Sequence, residues 1–349
     1  MLGADGRRHL QELFDYIERY WKLSVDSLRE RSFDIEACFT LLQQQQIEHA
    51  DTVHGGYLDQ VEDQLAALLA RFIGHVQNYT APDMAPDLLE LGRRLLEERP
   101  AVLTFNYDTI IESVIESASG LSDLPEPAEG RVPDDKLSYS EHNWNRALAY
   151  GVLFDEVELQ QIGTLLEPVP RERFYGHPGN SLYDPPILKL HGSLNWFTHT
   201  SRRVFPENLE SYETRSNPKD GLFVLKSGFP WVRPDFSPPD DAFEWILEPV
   251  IVTPMLYKNL GGDGLIGQSW RRARWELSEC RRLVVGGYSF PPSDFAVRKL
   301  FLEAFEEGPP DELVVINPDP SAAETAASLC HFKSTPAMSP NLAQYLEVT

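Results

Sequence analysis

AVLTFNYDTIIE, residues 101–112, decides how the chain is read. Ala-Val-Leu-Thr-Phe is a short apolar run of the kind that forms a buried strand, and it stops at three side chains that can hydrogen-bond: Asn106, Tyr107 and Asp108. Ile110, Ile111, Val114 and Ile115 then recur at helical spacing. The stretch therefore predicts strand, polar turn and helix. In open α/β sheets ligands bind outside the carboxyl ends of the strands, which makes the polar residues of this turn site candidates. ILKLHGSLNW, residues 187–196, has the same form, with an apolar run ending at His191-Gly192-Ser193. If the two strands are parallel neighbours, Asn106, Asp108 and His191 line one crevice.

Read together, the two motifs resemble the sirtuin family of NAD-dependent enzymes. The T-x-N-x-D of that family matches Thr104-Phe105-Asn106-Tyr107-Asp108, and its His-Gly matches His191-Gly192. VVGGYSFPPSD, residues 284–294, is similar to the family's Gly-[Thr/Tyr]-Ser loop, and LVVINP, residues 313–318, to the strand whose terminal Asn meets a ribose. The resemblance spans about residues 30–335, in the family's order, and is nearest to the bacterial branch that hydrolyses NAD in antiphage defence. It implies a Rossmann-like, mostly parallel sheet and NAD as substrate with no metal. It also implies a catalytic His191 with Asn106 and Asp108, and NAD contacts from Thr104, Phe105, Gly192, Gly287, Tyr288, Ser289 and Asn317.

Composition narrows the function classes. The 349 residues carry a formal charge of −23, which argues against a phosphate-backbone partner, because nucleic-acid affinity is built on clustered Lys and Arg. Cys38, Cys280 and Cys330 are too far apart in sequence for metal-ligand spacing, and they fit small buried thiols in a reducing cytoplasm. His142, His177 and His199 likewise suggest no metal site. The first 20 residues carry charges throughout, unlike a signal peptide, and no apolar run approaches the ~18 residues of a membrane span.

Along the chain, residues 1–98 read as a helical layer, with Leu10, Leu13, Phe14, Ile17 and Tyr20 spaced for the first helix. Segments 99–118 and 186–335 form the expected α/β core, and the rest of its strands are expected at 250–253, 283–286 and 313–317. Between 119 and 185 a run of prolines and acidic residues marks an insertion, and 336–349 reads as a C-terminal tail. The region 201–239 contains a short apolar run, 222–225, that suits a hairpin or a lid. Pro291 and Pro292 fix the entry to a helix with Ser293 as its N-cap. Trp196, Trp231, Trp245, Trp270 and Trp275 read as core or interface aromatics.

The residues support more than one chemistry. Cleaving the bond between nicotinamide and ribose builds positive charge on the sugar, which Asp108 could stabilise. Asn106 could hold a hydroxyl or the attacking water, and His191 titrates in the range suited to a proton acceptor. Yet Asp108 could simply cap the following helix, His191 could be satisfied by a backbone carbonyl, and Asn317 could be a plain turn residue. Gly286-Gly287 follows a strand and precedes a helix, so its amides are candidates for a phosphate. The Gly-Ala-Gly turn that binds pyrophosphate in the family is not recognisable, since Gly3-Ala4-Asp5-Gly6 reads as a helix-leading turn. The chain as given is therefore expected to bind NAD weakly or not at all, and a Gly-Ala-Gly strand encoded upstream of Met1 would favour the enzyme. The alternatives are a non-catalytic sirtuin-like protein that binds a nucleotide or partner protein and, third, a protein deacylase. Whether the chain forms a homo-oligomer is left open.

Overall fold

The structure is a computed structural model that describes residues 10–24, 26–27, 33–50, 52–80, 85–118, 150, 186–202, 222–224, 244–252, 265–291 and 294–348. Gly3–Gly6, Ser293, His142, His177 and, Tyr150 apart, the 119–185 insertion lie outside them. Four helices open the chain: α1 (Gln11–Trp21), α2 (Ile35–His49), α3 (Val53–Thr80) and α4 (Pro86–Glu98). Their ends follow local chemistry. Asp34 accepts a hydrogen bond from Ala37 N at 2.9 Å to start α2, and Pro86 takes the first position of α4, where its missing N–H costs nothing. Arg99, left-handed at φ 51°, closes α4 and delivers the chain into the first strand three residues later.

Helices α1 to α3 share a core of their own. Leu13, Tyr16, Ile17, Phe39, Leu42, Leu58, Val61 and Leu65 are buried in it. Polar groups at its rim are matched, as where Gln64 Oε1 accepts from Leu13 N at 3.0 Å and Tyr16 OH donates to Gln45 Oε1 at 2.9 Å. The layer then grips the rest of the chain. Gln77 near the end of α3 donates to Thr109 Oγ1 at 2.8 Å and accepts from Thr109 N at 3.1 Å, at the start of the next helix.

The remainder is mixed α/β. Strand β1 (Val102–Thr104) leads into α5 (Ile110–Ala118), and β2 (Ile187–Lys189) pairs with β1 in parallel. Beyond lie α6 (Leu265–Glu279), β6 (Arg282–Gly286), α7 (Phe295–Ala304), β7 (Glu312–Ile316) and α8 (Pro320–Leu329). One core joins these parts, with Leu188, Leu190, Trp270, Val285, Phe301, Val315 and Ala326 buried together and Leu103 and Phe105 packed against them. At the position expected for a Ser293 cap, the described residue preceding α7 is Asp294, whose side chain makes no capping bond.

Two boundaries differ from expectation. The segment at 250 does not join the parallel strands: β5 (Glu244–Ile251) runs antiparallel to β3 (Gly192–Arg202), which also pairs antiparallel with β4 (Leu222–Val224). The reason lies at His191-Gly192, where the β-rich sequence SLNWFTHTS carries the chain onward as a strand that must find antiparallel partners. The 336–349 segment is no tail, since β8 (Ala337–Ser339) pairs in parallel with β7 and α9 (Leu342–Val348) packs on α4. A three-residue strand carries too little periodicity to be read from sequence. No helix of the described residues is long and apolar enough to cross a membrane.

The three cysteines are free thiols shifted upward by their surroundings. Burial pushes Cys38 to about 12 and Cys280 to about 11; burial, aided by the charge of Cys280, takes Cys330 to about 12. A raised native value means that the neutral thiol contributes stability below the ordinary value of 9.0 and that this contribution is lost as pH climbs from there through about 12. Urea midpoints should therefore be flat to about pH 9 and fall above it. Native Cys38 and Cys330 should resist Ellman's reagent at pH 8 and react fully in denaturant; rapid reaction of the native chain would contradict their burial.

Candidate functional site

The site is built where β1 and β2 end. Their register pairs Thr104 with Lys189, so the residues that follow each strand emerge side by side. Main-chain bonds continue past the last pair: Leu190 N donates to Thr104 O and Leu194 N to Tyr107 O, both at 2.9 Å. On the other flank Val252 N donates to His191 O at 2.7 Å. The turn that carries His191 is thus clamped from both sides. Gly192 makes it feasible, with φ at +81° and a Cβ position only 2.0 Å from Val250 O.

Aromatic rings surround the imidazole. His191 is 8% exposed, and its ring centroid lies 5.3 Å from Phe105, 6.2 Å from Tyr107 and 6.3 Å from a stacked Trp270. Each wall is pinned. Trp270 Nε1 donates to Leu190 O at 2.7 Å, Tyr107 OH to Val252 O at 2.6 Å, and Tyr288 OH to Asp294 at 2.8 Å, while the Tyr288 ring lies 4.6 Å from Phe105. Burial first, then the charges of Asp294 and Glu36, raises Tyr107 above the ordinary phenol range. Burial, the Asp294 charge and the hydrogen bond to Asp294 do the same for Tyr288. Both phenols therefore stay protonated and act as donors.

The other candidates divide by what already occupies them. Asn106 is exposed, but its backbone N–H is held by Thr104 Oγ1 at 3.1 Å, so the Thr104 hydroxyl serves the turn. Asp108 Oδ1 accepts from Ile110 N at 3.0 Å, the capping role, and its backbone carbonyl accepts from Lys189 Nζ. Gly287 N donates to Ile316 O at 3.0 Å, so the amide expected to meet a phosphate is committed to the neighbouring strand. Asn317 is buried, with Oδ1 accepting from Asp319 N at 2.9 Å and Nδ2 reaching Tyr288 O at 3.4 Å. Its side chain ties the end of β7 to the turn after β6. Ser289 is exposed beside Tyr288.

The structure brings Phe105, Tyr107, His191 and Tyr288 into ring contact and joins Asn317 to Tyr288 through the main chain. It also reveals a polar layer that was not singled out from sequence: Lys189, Glu112, Ser193 and Asn195 are all buried beside this turn. The charge in the middle of ILKLH was the available signal for Lys189. Among the described residues no group of three or more His, Cys, Asp or Glu side chains could hold a metal ion. No protein-family model matches the chain, and no curated protein matches it.

Two substitutions test this construction. Gly192→Ala combines a left-handed backbone with a collision against the Val250 carbonyl, so it should destabilise by roughly 2–5 kcal/mol. Asp108→Ala should cost about 1 kcal/mol and Asp108→Asn much less, because asparagine caps as well as aspartate. Urea unfolding reads both, and a neutral Gly192→Ala would mean that the turn is not clamped as described.

Proposed function

We propose that the chain is a sirtuin-like NAD hydrolase, built on a doubly wound, Rossmann-like core and releasing nicotinamide and ADP-ribose. The observation that carries this reading is the seat of His191, beside the Asn106–Asp108 turn at the carboxyl ends of two parallel strands. Ligands of open α/β sheets bind in that position. Strands β6, β7 and β8 are also parallel, and α7 and α8 cross between them, which suits the same architecture.

The chemistry follows from charge. The C1′–N bond breaks with its electron pair leaving on neutral nicotinamide, and the sugar carbon becomes cationic until water adds its oxygen there. His191 accepts the proton that this water gives up. Exposed Asn106 orients the water or a ribose hydroxyl, and the Asp108 carboxylate faces the growing positive charge. The π-face of Phe105 adds to that stabilisation. With the Gly287 amide already used, pyrophosphate affinity is weak and the substrate works at high concentration.

A second reading, a non-catalytic nucleotide- or partner-binding protein, is favoured by one fact: Asp108, Gly287 and Asn317 are each satisfied by local hydrogen bonds. Chromatography of NAD incubated with the purified chain separates the two. Equimolar nicotinamide and ADP-ribose should form, and His191→Ala and Asn106→Ala should each cut the rate by about two to four orders of magnitude without lowering the melting temperature by more than a few degrees. An unchanged rate in both variants overturns the assignment. No cleavage, with ADP-ribose raising the melting temperature, favours the second reading.

A further inference from the structure

Beneath the candidate site lies a buried ion pair embedded in a chain of polar side chains. Lys189 and Glu112 side chains are 1% and 0% exposed, with Lys189 Nζ 3.3 Å from Glu112 Oε1. Nζ also donates to the Asp108 backbone carbonyl. From Glu112 the chain runs outward: Tyr150 OH donates to Oε1 at 3.0 Å, Asn195 Nδ2 donates to Tyr150 OH at 2.6 Å, and Ser193 Oγ donates to Asn195 Oδ1 at 2.6 Å. Lys189 precedes His191 by two residues and Ser193 follows it by two. The network thus touches the Asn106–Asp108 turn through Lys189 at one end and reaches Ser193 at the other, so that its two ends flank His191 in the chain.

A buried ion pair is a poor device for stability, because desolvation of two charges consumes most or all of their attraction, and an apolar pair of like volume often does as well. Glu112 Oε2 sharpens this, being buried with no hydrogen-bond partner among the described residues. What charge supplies and methyl groups cannot is direction. A Lys ammonium bonded to one backbone carbonyl and one carboxylate holds the turn after β1 against the helix that follows it and against the strand that carries His191.

We propose that Lys189 and Glu112 are positioning residues, whose pairing fixes the Asn106–Asp108 turn relative to His191 while neither touches the substrate. The proposal rests on the reading of these turns as the reactive site. It explains why a lysine ends an otherwise apolar strand, at the position opposite Thr104.

The test compares Lys189→Met, Glu112→Gln and the double variant Lys189→Met/Glu112→Leu in the full chain. Each single variant strands a buried charge or carboxamide and should lower the melting temperature, whereas the double variant should recover most of the loss. In that recovered protein, amide hydrogen exchange across 105–110 and 190–195 should be about tenfold faster than in the parent, with 312–330 unchanged. For NAD cleavage its kcat should fall about a hundredfold with little change in KM, as expected when reacting groups shift by a fraction of their spacing. Parent-like exchange in both turns together with parent-like kcat would overturn the proposal and leave the pair as packing. Should the double variant not fold, Glu112→Gln, which removes the charge of the pair and keeps the acceptor for Tyr150, decides: faster exchange in both turns supports the proposal and unchanged exchange overturns it. Exchange is read without substrate, so a parent that cleaves no NAD refutes the hydrolase reading alone.

Discussion

Everything in the candidate site depends on the parallel pairing of β1 with β2 continuing beyond the strands themselves. The pair is only three residues long, too short to be rigid in isolation, and it is prolonged by Leu190 N to Thr104 O and Leu194 N to Tyr107 O. Because those bonds lie in the turns, the polar residues that follow each strand are fixed against one another. Loops usually owe their variability to unshared backbone groups. Here the groups are shared, and the imidazole of His191 inherits the order of the strands below it.

That arrangement is backed from two directions. On the apolar side, Trp270 closes over His191 and bonds the Leu190 carbonyl, linking α6 to the turn and so to the core shared with β6, β7, α7 and α8. On the polar side, Lys189 and Glu112 join the turn after β1 to α5, and Gln77 ties the start of α5 to the separate helical core. The hydrogen bonds of the two turns thus reach elements that carry both hydrophobic clusters.

The acidic balance of the chain leaves its mark on how such a site can work. With a formal charge of −23, a dianionic pyrophosphate gains nothing from the general field and must rely on directed amides or local cations. The Gly287 amide is spent on β7, and Lys189 is spent inside the protein. Under the proposed NAD-hydrolase reading, recognition would fall to ring faces and to exposed Asn106, groups suited to the ribose and nicotinamide end of a dinucleotide.

Sequence alone determined the local elements whose signal is periodic or punctuated. The helices of residues 11–98, the strand-turn-helix at 101–112 and the alternation from 282 to 329 were legible because 3.6-residue spacing, proline and asparagine punctuation and short apolar runs act through neighbours in the chain. It also marked His191, Asn106 and Asp108, since polar residues at strand ends are distinctive wherever the strand goes. Tertiary structure alone decided the rest. Whether β5 ran parallel or antiparallel hung on Gly192 turning β2 into β3, and the three residues of β8 became a strand only because β7 offered an unpaired edge. Trp270 read as ordinary core until its indole met the Leu190 carbonyl, and Lys189 found its ion-pair partner only when Glu112, 77 residues away in sequence, came to face it. Partners that distant are fixed by packing and by the need to satisfy buried polar groups, and neither constraint is written in any local stretch of residues.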